Sequence, residues 1–122
     1  MKYTDIRRLE KILEYTEKLH DYIFGTKLEK QKLIEDYTIQ WAVTTPLYNI
    51  GEHVYYLSSE LKEKHSEIKW HMISGLRHRL VHDYDDTNWE LIADIIFKDL
   101  PELKEQIAKI LTDGENPKND EE

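Results

Sequence analysis

Apolar positions open the chain in helical register. Ile6, Leu9, Ile12/Leu13, Leu19 and Ile23, with Thr16 on the same face, recur at steps of three and four residues, the spacing of one face of an α-helix. A first helix is predicted from Thr4, a candidate cap, to about Phe24, with Gly25-Thr26 turning the chain. A second, long helix is predicted from about Glu29 to Lys64, with two stripes. Ile39, Val43, Leu47, Ile50, Val54, Leu57 and Leu61 form a conventional core face. Ile34, Tyr37, Trp41, Tyr48, Glu52 and Tyr55 form an aromatic face. A helix apolar on two sides needs partners on both. Pro46 removes one backbone donor and is expected to kink or locally break this helix.

A third helix is predicted over about Glu67 to His82, with Trp70, Ile73, Leu76 and Leu80 as its core stripe. After Asp83-Tyr84-Asp85-Asp86, Thr87 or Asn88 can cap a fourth, carrying Trp89, Ile92 and Ile95/Ile96 and ending near Asp99. Pro101 fits the first turn of a last helix with Leu103, Ile107 and Ile110/Leu111. No segment alternates as a strand does. The expectation is an all-α protein, an antiparallel bundle of four to five helices.

Composition narrows the classes. The 122 residues suit one domain, expected over residues 1–111, followed from Thr112 by an acidic tail expected to be disordered. At this size self-association adds useful burial. No apolar run reaches the roughly 18 residues of a membrane span, and the charged N-terminus lacks a secretory hydrophobic region, so a cytoplasmic location is expected. There are no cysteines, which excludes disulfides, thiolate metal sites and cysteine nucleophiles. The net charge is −8, so any contact with nucleic acid must come from a local basic cluster.

That cluster is Arg77, His78, Arg79 and His82, followed by Tyr84. Cations at a helix C-terminus complement the macrodipole, by about 0.3–1 kcal/mol each, and this plain reading competes with a functional one. Arg77, however, falls near the centre of the Ile73/Leu76/Leu80 face, where a cation must be paired or must face a cleft or interface. His82 lies about 140° further around an ideal helix, so a site using both needs the helix to end there or a second chain to contribute. These side chains suit phosphodiester cleavage. Histidine exchanges protons near neutral pH, and arginine makes paired hydrogen bonds to phosphate. An RNA 2′-hydroxyl supplies the nucleophile, so neither metal nor cofactor is required.

The stretch RHRLVHDY, Arg77 to Tyr84, matches the Arg-x4-His-x-Tyr signature of the HEPN superfamily and resembles its HepT-like branch. The resemblance spans roughly residues 38 to 110, through the Ile50-Gly51-Glu52 step, the Trp70-to-Arg77 segment and the Asp99-Leu100-Pro101 turn. The chain departs from the usual pattern at His53, Trp41, Pro46 and His65-Ser66.

The resemblance implies a homodimer whose two motifs line one cleft. It implies a metal-independent endoribonuclease toxin, with Arg77 and His82 as the catalytic pair acting on RNA and His78 and Tyr84 at the cleft. It also implies a partner, a minimal nucleotidyltransferase antitoxin that adenylylates Tyr84. The alternative is a catalytically weak subunit that docks a nucleotidyltransferase or a nucleotide. Glu52 fits two roles equally well, as partner of Arg77 across the cleft or as a partly exposed interface acid. The aromatic stripe fits a dimer interface better than base stacking. His53 and His71 border the expected cleft, where lone helical histidines are more often structural.

Overall fold

The computed structural model describes residues 1–81 and 86–114. Among these there is no strand. The chain forms α1 (Tyr3–Gly25), α2 (Lys30–Glu35), α3 (Tyr37–Tyr55), α4 (Ser59–Lys64), α5 (Trp70–Ser74), α6 (Leu76–Val81), α7 (Trp89–Asp94) and α8 (Leu100–Gly114). A π-helical turn, Ile95–Asp99, joins α7 to α8.

The first helix keeps its expected extent and buries Leu9, Ile12, Thr16, Leu19 and Ile23. Its cap is Lys2, without a side-chain bond, rather than Thr4. The long second helix is instead three. Asp36 takes an extended backbone and accepts from the Thr38 backbone N–H at 2.9 Å, so it ends α2 and caps α3. Ser58 does the same for α4, accepting from the Leu61 N–H at 3.2 Å. Such side chains satisfy donors that a helix start leaves unpaired. Pro46 does not break α3, which runs through it.

The third predicted helix starts at Trp70, not Glu67, and loses regularity at Gly75 between α5 and α6. Asn88 rather than Thr87 caps α7, accepting from the Leu91 N–H at 3.1 Å. No break occurs near Asp99. The π turn carries α7 into α8, and Pro101 sits in the first turn of α8. A proline there cannot donate to the carbonyl four residues back, and the extra residue of a π turn absorbs that mismatch.

The start of α1 lies beside the end of α3. Asp5, buried, accepts from the Ser58 N–H at 2.9 Å and from its hydroxyl at 2.6 Å. The end of α1 meets the π turn, where Phe24 packs edge-on to Phe97 at 6.1 Å. Helix α3 packs on α1 at one side and on α5 and α6 at another. Its whole expected core face, from Ile39 to Val54, is buried. Each such aliphatic side chain contributes roughly 1.5–3 kcal/mol. The aromatic face is another matter: Tyr37, Trp41 and Tyr55 are about half exposed, at 60, 58 and 49%. No described helix is long and apolar enough to cross a membrane.

Candidate active site

The site is built where α3 crosses α6, and Gly51 sets how closely they approach. A Cβ at that position would lie 2.9 Å from the Arg77 backbone nitrogen and 3.1 Å from the Ile73 carbonyl oxygen. Only glycine fits against that backbone. The next residue, Glu52, is thereby brought beside the Arg77 side chain.

Arg77 donates from Nε to Glu52 Oε2 at 3.2 Å, and both side chains are partly exposed. The Arg77 guanidinium carbon lies 4.0 Å from the Tyr55 ring centroid, in cation–π contact. The Tyr48 hydroxyl, one turn before Glu52, hydrogen-bonds the same carboxylate and is thereby held above its ordinary pKa. Burial would raise the Glu52 pKa. The bonds from Tyr48 and Arg77 and the arginine's charge outweigh it, so Glu52 is held below its ordinary value and ionised. The hydrogen bond that Arg77 donates to Glu52 raises the Arg77 pKa further. Among the described residues, the two terminal guanidinium nitrogens of Arg77 make no hydrogen bond. They form a planar fork held by Glu52 at one edge and Tyr55 on one face. Such a fork matches two oxygens of a phosphate.

The expected site residues divide. Arg77 and Glu52 are brought together within one chain, and Tyr48 and Tyr55 of the aromatic stripe join them. His78 is exposed on the turn after Arg77. His82 and Tyr84 lie outside the described residues, as does the tail beyond 114. His71 is exposed on α5, away from these contacts. His53 faces α1, where its Nδ1 lies 3.2 Å from Arg8 Nη1 and its ring stacks on Tyr15 at 6.3 Å. Burial, then the charges of Arg8 and Lys11, holds the His53 pKa below its ordinary value. Sequence reading missed Arg8 and Tyr56, since nothing local marks a contact between residues so far apart in the chain. Gly51 carried a signal, because a glycine inside a helix costs about 1 kcal/mol without a packing reason. Among the described residues no group of His, Asp or Glu is placed to hold a metal ion.

The comparisons agree on one family. Residues 12–110 match the family model described as ribonuclease HepT-like. "Putative RNase TTE0752" of Caldanaerobacter subterraneus subsp. tengcongensis is 37% identical over 84% of this chain and 90% of its own length. "Putative RNase MJ0127" of Methanocaldococcus jannaschii is 31% identical over 94% of each chain. "Probable ribonuclease HepT" of Thermococcus cleftensis is 27% identical over 90% of this chain and 98% of its own. No solved structure gives a significant match.

Proposed function

The chain belongs to the ribonuclease HepT-like family, and on that premise we propose that it is a metal-independent endoribonuclease of the toxin type, active as a homodimer. The observation that carries this reading is the Arg77 fork, oriented by Glu52 and Tyr55, with its terminal nitrogens making no hydrogen bond among the described residues. Arg77 holds the scissile phosphate and stabilises the charge that builds on its oxygens. Its side chain needs no reorganisation, because the carboxylate and the ring already fix its plane.

The ribose 2′-hydroxyl attacks the adjacent phosphorus and the bond to the 5′-oxygen breaks. The products are a 2′,3′-cyclic phosphate and a new 5′-hydroxyl. His82 acts as general base or acid in this transfer. His78 and Tyr84 bind the substrate strand. A minimal nucleotidyltransferase transfers AMP from ATP to the Tyr84 hydroxyl, the phenol oxygen bonding the α-phosphorus as the bond to the β-phosphate breaks and pyrophosphate leaves. The added phosphate competes with RNA for Arg77 and silences the enzyme.

The test is cleavage of single-stranded RNA by purified protein with excess chelator present. Wild type is expected to cut and to leave cyclic phosphate ends. Arg77→Ala and His82→Ala are expected to abolish cutting with helicity intact. Equal cleavage by His82→Ala, or loss of wild-type cleavage on chelation, would sink the assignment. A wild-type protein that never cuts RNA yet binds a nucleotidyltransferase tightly would instead favour a docking subunit. Intact mass after co-expression with such an enzyme tests Tyr84, as one added AMP absent from Tyr84→Phe.

A further inference from the structure

The end of α3 carries a second arginine–tyrosine stack, supplied by α1. The Arg8 guanidinium carbon lies 5.0 Å from the Tyr56 ring centroid. Tyr56 stands edge-on to Tyr55 at 4.9 Å between centroids, and Tyr55 is the ring beneath Arg77. Two guanidinium groups thus flank a pair of perpendicular phenol rings, both about half exposed, at 49 and 53%.

The nearby cations differ in what they already hold. Lys11 is paired with Glu14 at 3.2 Å. Lys62 donates to the Tyr55 carbonyl at 3.1 Å, which closes the end of α3. Arg8 has neither kind of partner among the described residues: it meets an imidazole nitrogen and an aromatic face. Arginine can only donate, so His53 Nδ1 accepts and the ring is neutral, its proton on Nε2. The charge of Arg8 is therefore not offset by its contacts, in a molecule whose net charge is −8. A seam between two helices gains little from such an arrangement, since an apolar side chain would fill it without the desolvation cost.

We propose that Arg8 and Tyr56 form a second nucleotide subsite, binding the phosphate and base of a neighbouring residue of the single strand held at Arg77. The RNA then runs from Arg77 across Tyr55 and Tyr56 to Arg8. Its bases stack on the exposed phenol faces and its backbone follows the two guanidinium groups. Stacking on rings and tracking by cations is how single strands are held without sequence readout. His53 is a positioning residue, fixing the Arg8 plane as Glu52 fixes that of Arg77. The inference rests on the ribonuclease reading, and its test separates the two.

The probe is a fluorescein-labelled 2′-O-methyl oligoribonucleotide of about 12 residues and mixed sequence. It has no free 2′-hydroxyl and so cannot be cut by 2′-hydroxyl attack. Anisotropy titrations at several salt concentrations give Kd and its salt slope, and circular dichroism and a thermal melt verify folding. Arg8→Gln is expected to weaken binding and to reduce the slope of log Kd against log salt by about 0.7, the value for one phosphate contact on a single strand. Tyr56→Leu is expected to weaken binding roughly tenfold, the size of one lost stacking contact, with the slope kept. If Arg8→Gln does not fold, Tyr56→Leu decides alone.

Unchanged affinity and slope in the folded variants overturns the subsite, and cleavage of unmodified RNA by wild type would then leave the ribonuclease reading standing. Sensitive binding without any wild-type cleavage supports the subsite and counts against the enzyme. A wild type that neither binds nor cuts overturns both. A change of oligomeric mass in Tyr56→Leu, with RNA affinity kept, assigns the rings to a contact between copies and overturns the subsite.

Discussion

At the residue scale the two arginines are held by groups of opposite character. Glu52 is ionised and neutralises Arg77, while His53 is neutral and leaves Arg8 charged. The histidine's burial makes its neutrality a stability statement. A group whose folded pKa is depressed favours the fold while it is deprotonated in both states, and that contribution is lost as pH falls. For His53 the window opens as pH drops below its ordinary value of 6.5. The unfolded chain then takes up the proton readily, whereas the folded chain resists a charge beside Arg8. Melting temperature is therefore expected to fall with pH below 6.5 in the wild type. His53→Gln keeps an acceptor for Arg8 but cannot titrate, so it should lose part of that slope. Parallel melting curves across the range check this, and an identical slope in the variant would refute it.

At the element scale the crossing of α3 over α6 is governed by Gly51. Gly51→Ala would thrust a methyl group against the Arg77 nitrogen and the Ile73 carbonyl, and backbone cannot swing aside as a side chain does. The helices must separate, at a cost of about 1–3 kcal/mol, and the Arg77–Glu52 bond lengthens with them. Denaturant titration should show that loss of stability. RNA cleavage should fall further than the unfolded fraction explains, because the fork moves as well as the fold. Ala substitution with full stability would show that the crossing is looser than the 2.9 Å approach implies.

The same scale shows where sequence reading succeeds. The buried stripe from Ile39 to Val54 was readable, since periodicity records which face meets a core. The breaks at Asp36 and Ser58 were not. Apolar spacing continues across both, through Leu33 to Ile39 and Val54 to Leu61, because the short helices on either side pack on the same core. Caps carried the only local signal, Asp36 two residues before Thr38 and Ser58 three before Leu61. Ser58 is further fixed by Asp5 of α1, a tertiary contact that no window along the chain contains. Arg77 was legible as a cation on an apolar face in need of a partner. Glu52 was legible as one candidate partner, evenly weighed against an interface acid, whereas the Tyr55 platform and the whole Arg8 stack depend on how α1, α3 and α6 meet.

For the whole molecule, the question is what the aromatic face of α3 is for. Tyr37 and Trp41 pack edge-on to each other at 4.8 Å and stand well exposed, at the opposite end of α3 from Tyr55. Exposed rings of this kind on one helix face suit the dimer interface proposed above. Large amphipathic rings are what interface centres favour, and a standard contact buries about 800 Å² per partner. A second copy seated on this face would close the Tyr55 end into a shared cleft, set two Arg77 forks near one strand, and concentrate positive groups in a protein that otherwise repels phosphate. Trp41→Lys tests this with little risk to the fold, since an exposed helix position changes monomer stability by roughly 0.5 kcal/mol or less. Sedimentation velocity should show wild type at twice the chain mass and the variant at one. RNA cleavage should be lost although every residue around Arg77 is intact. A variant that keeps both the wild-type mass and its cleavage would remove this face from the interface, and a wild type that sediments as a single chain would remove the dimer.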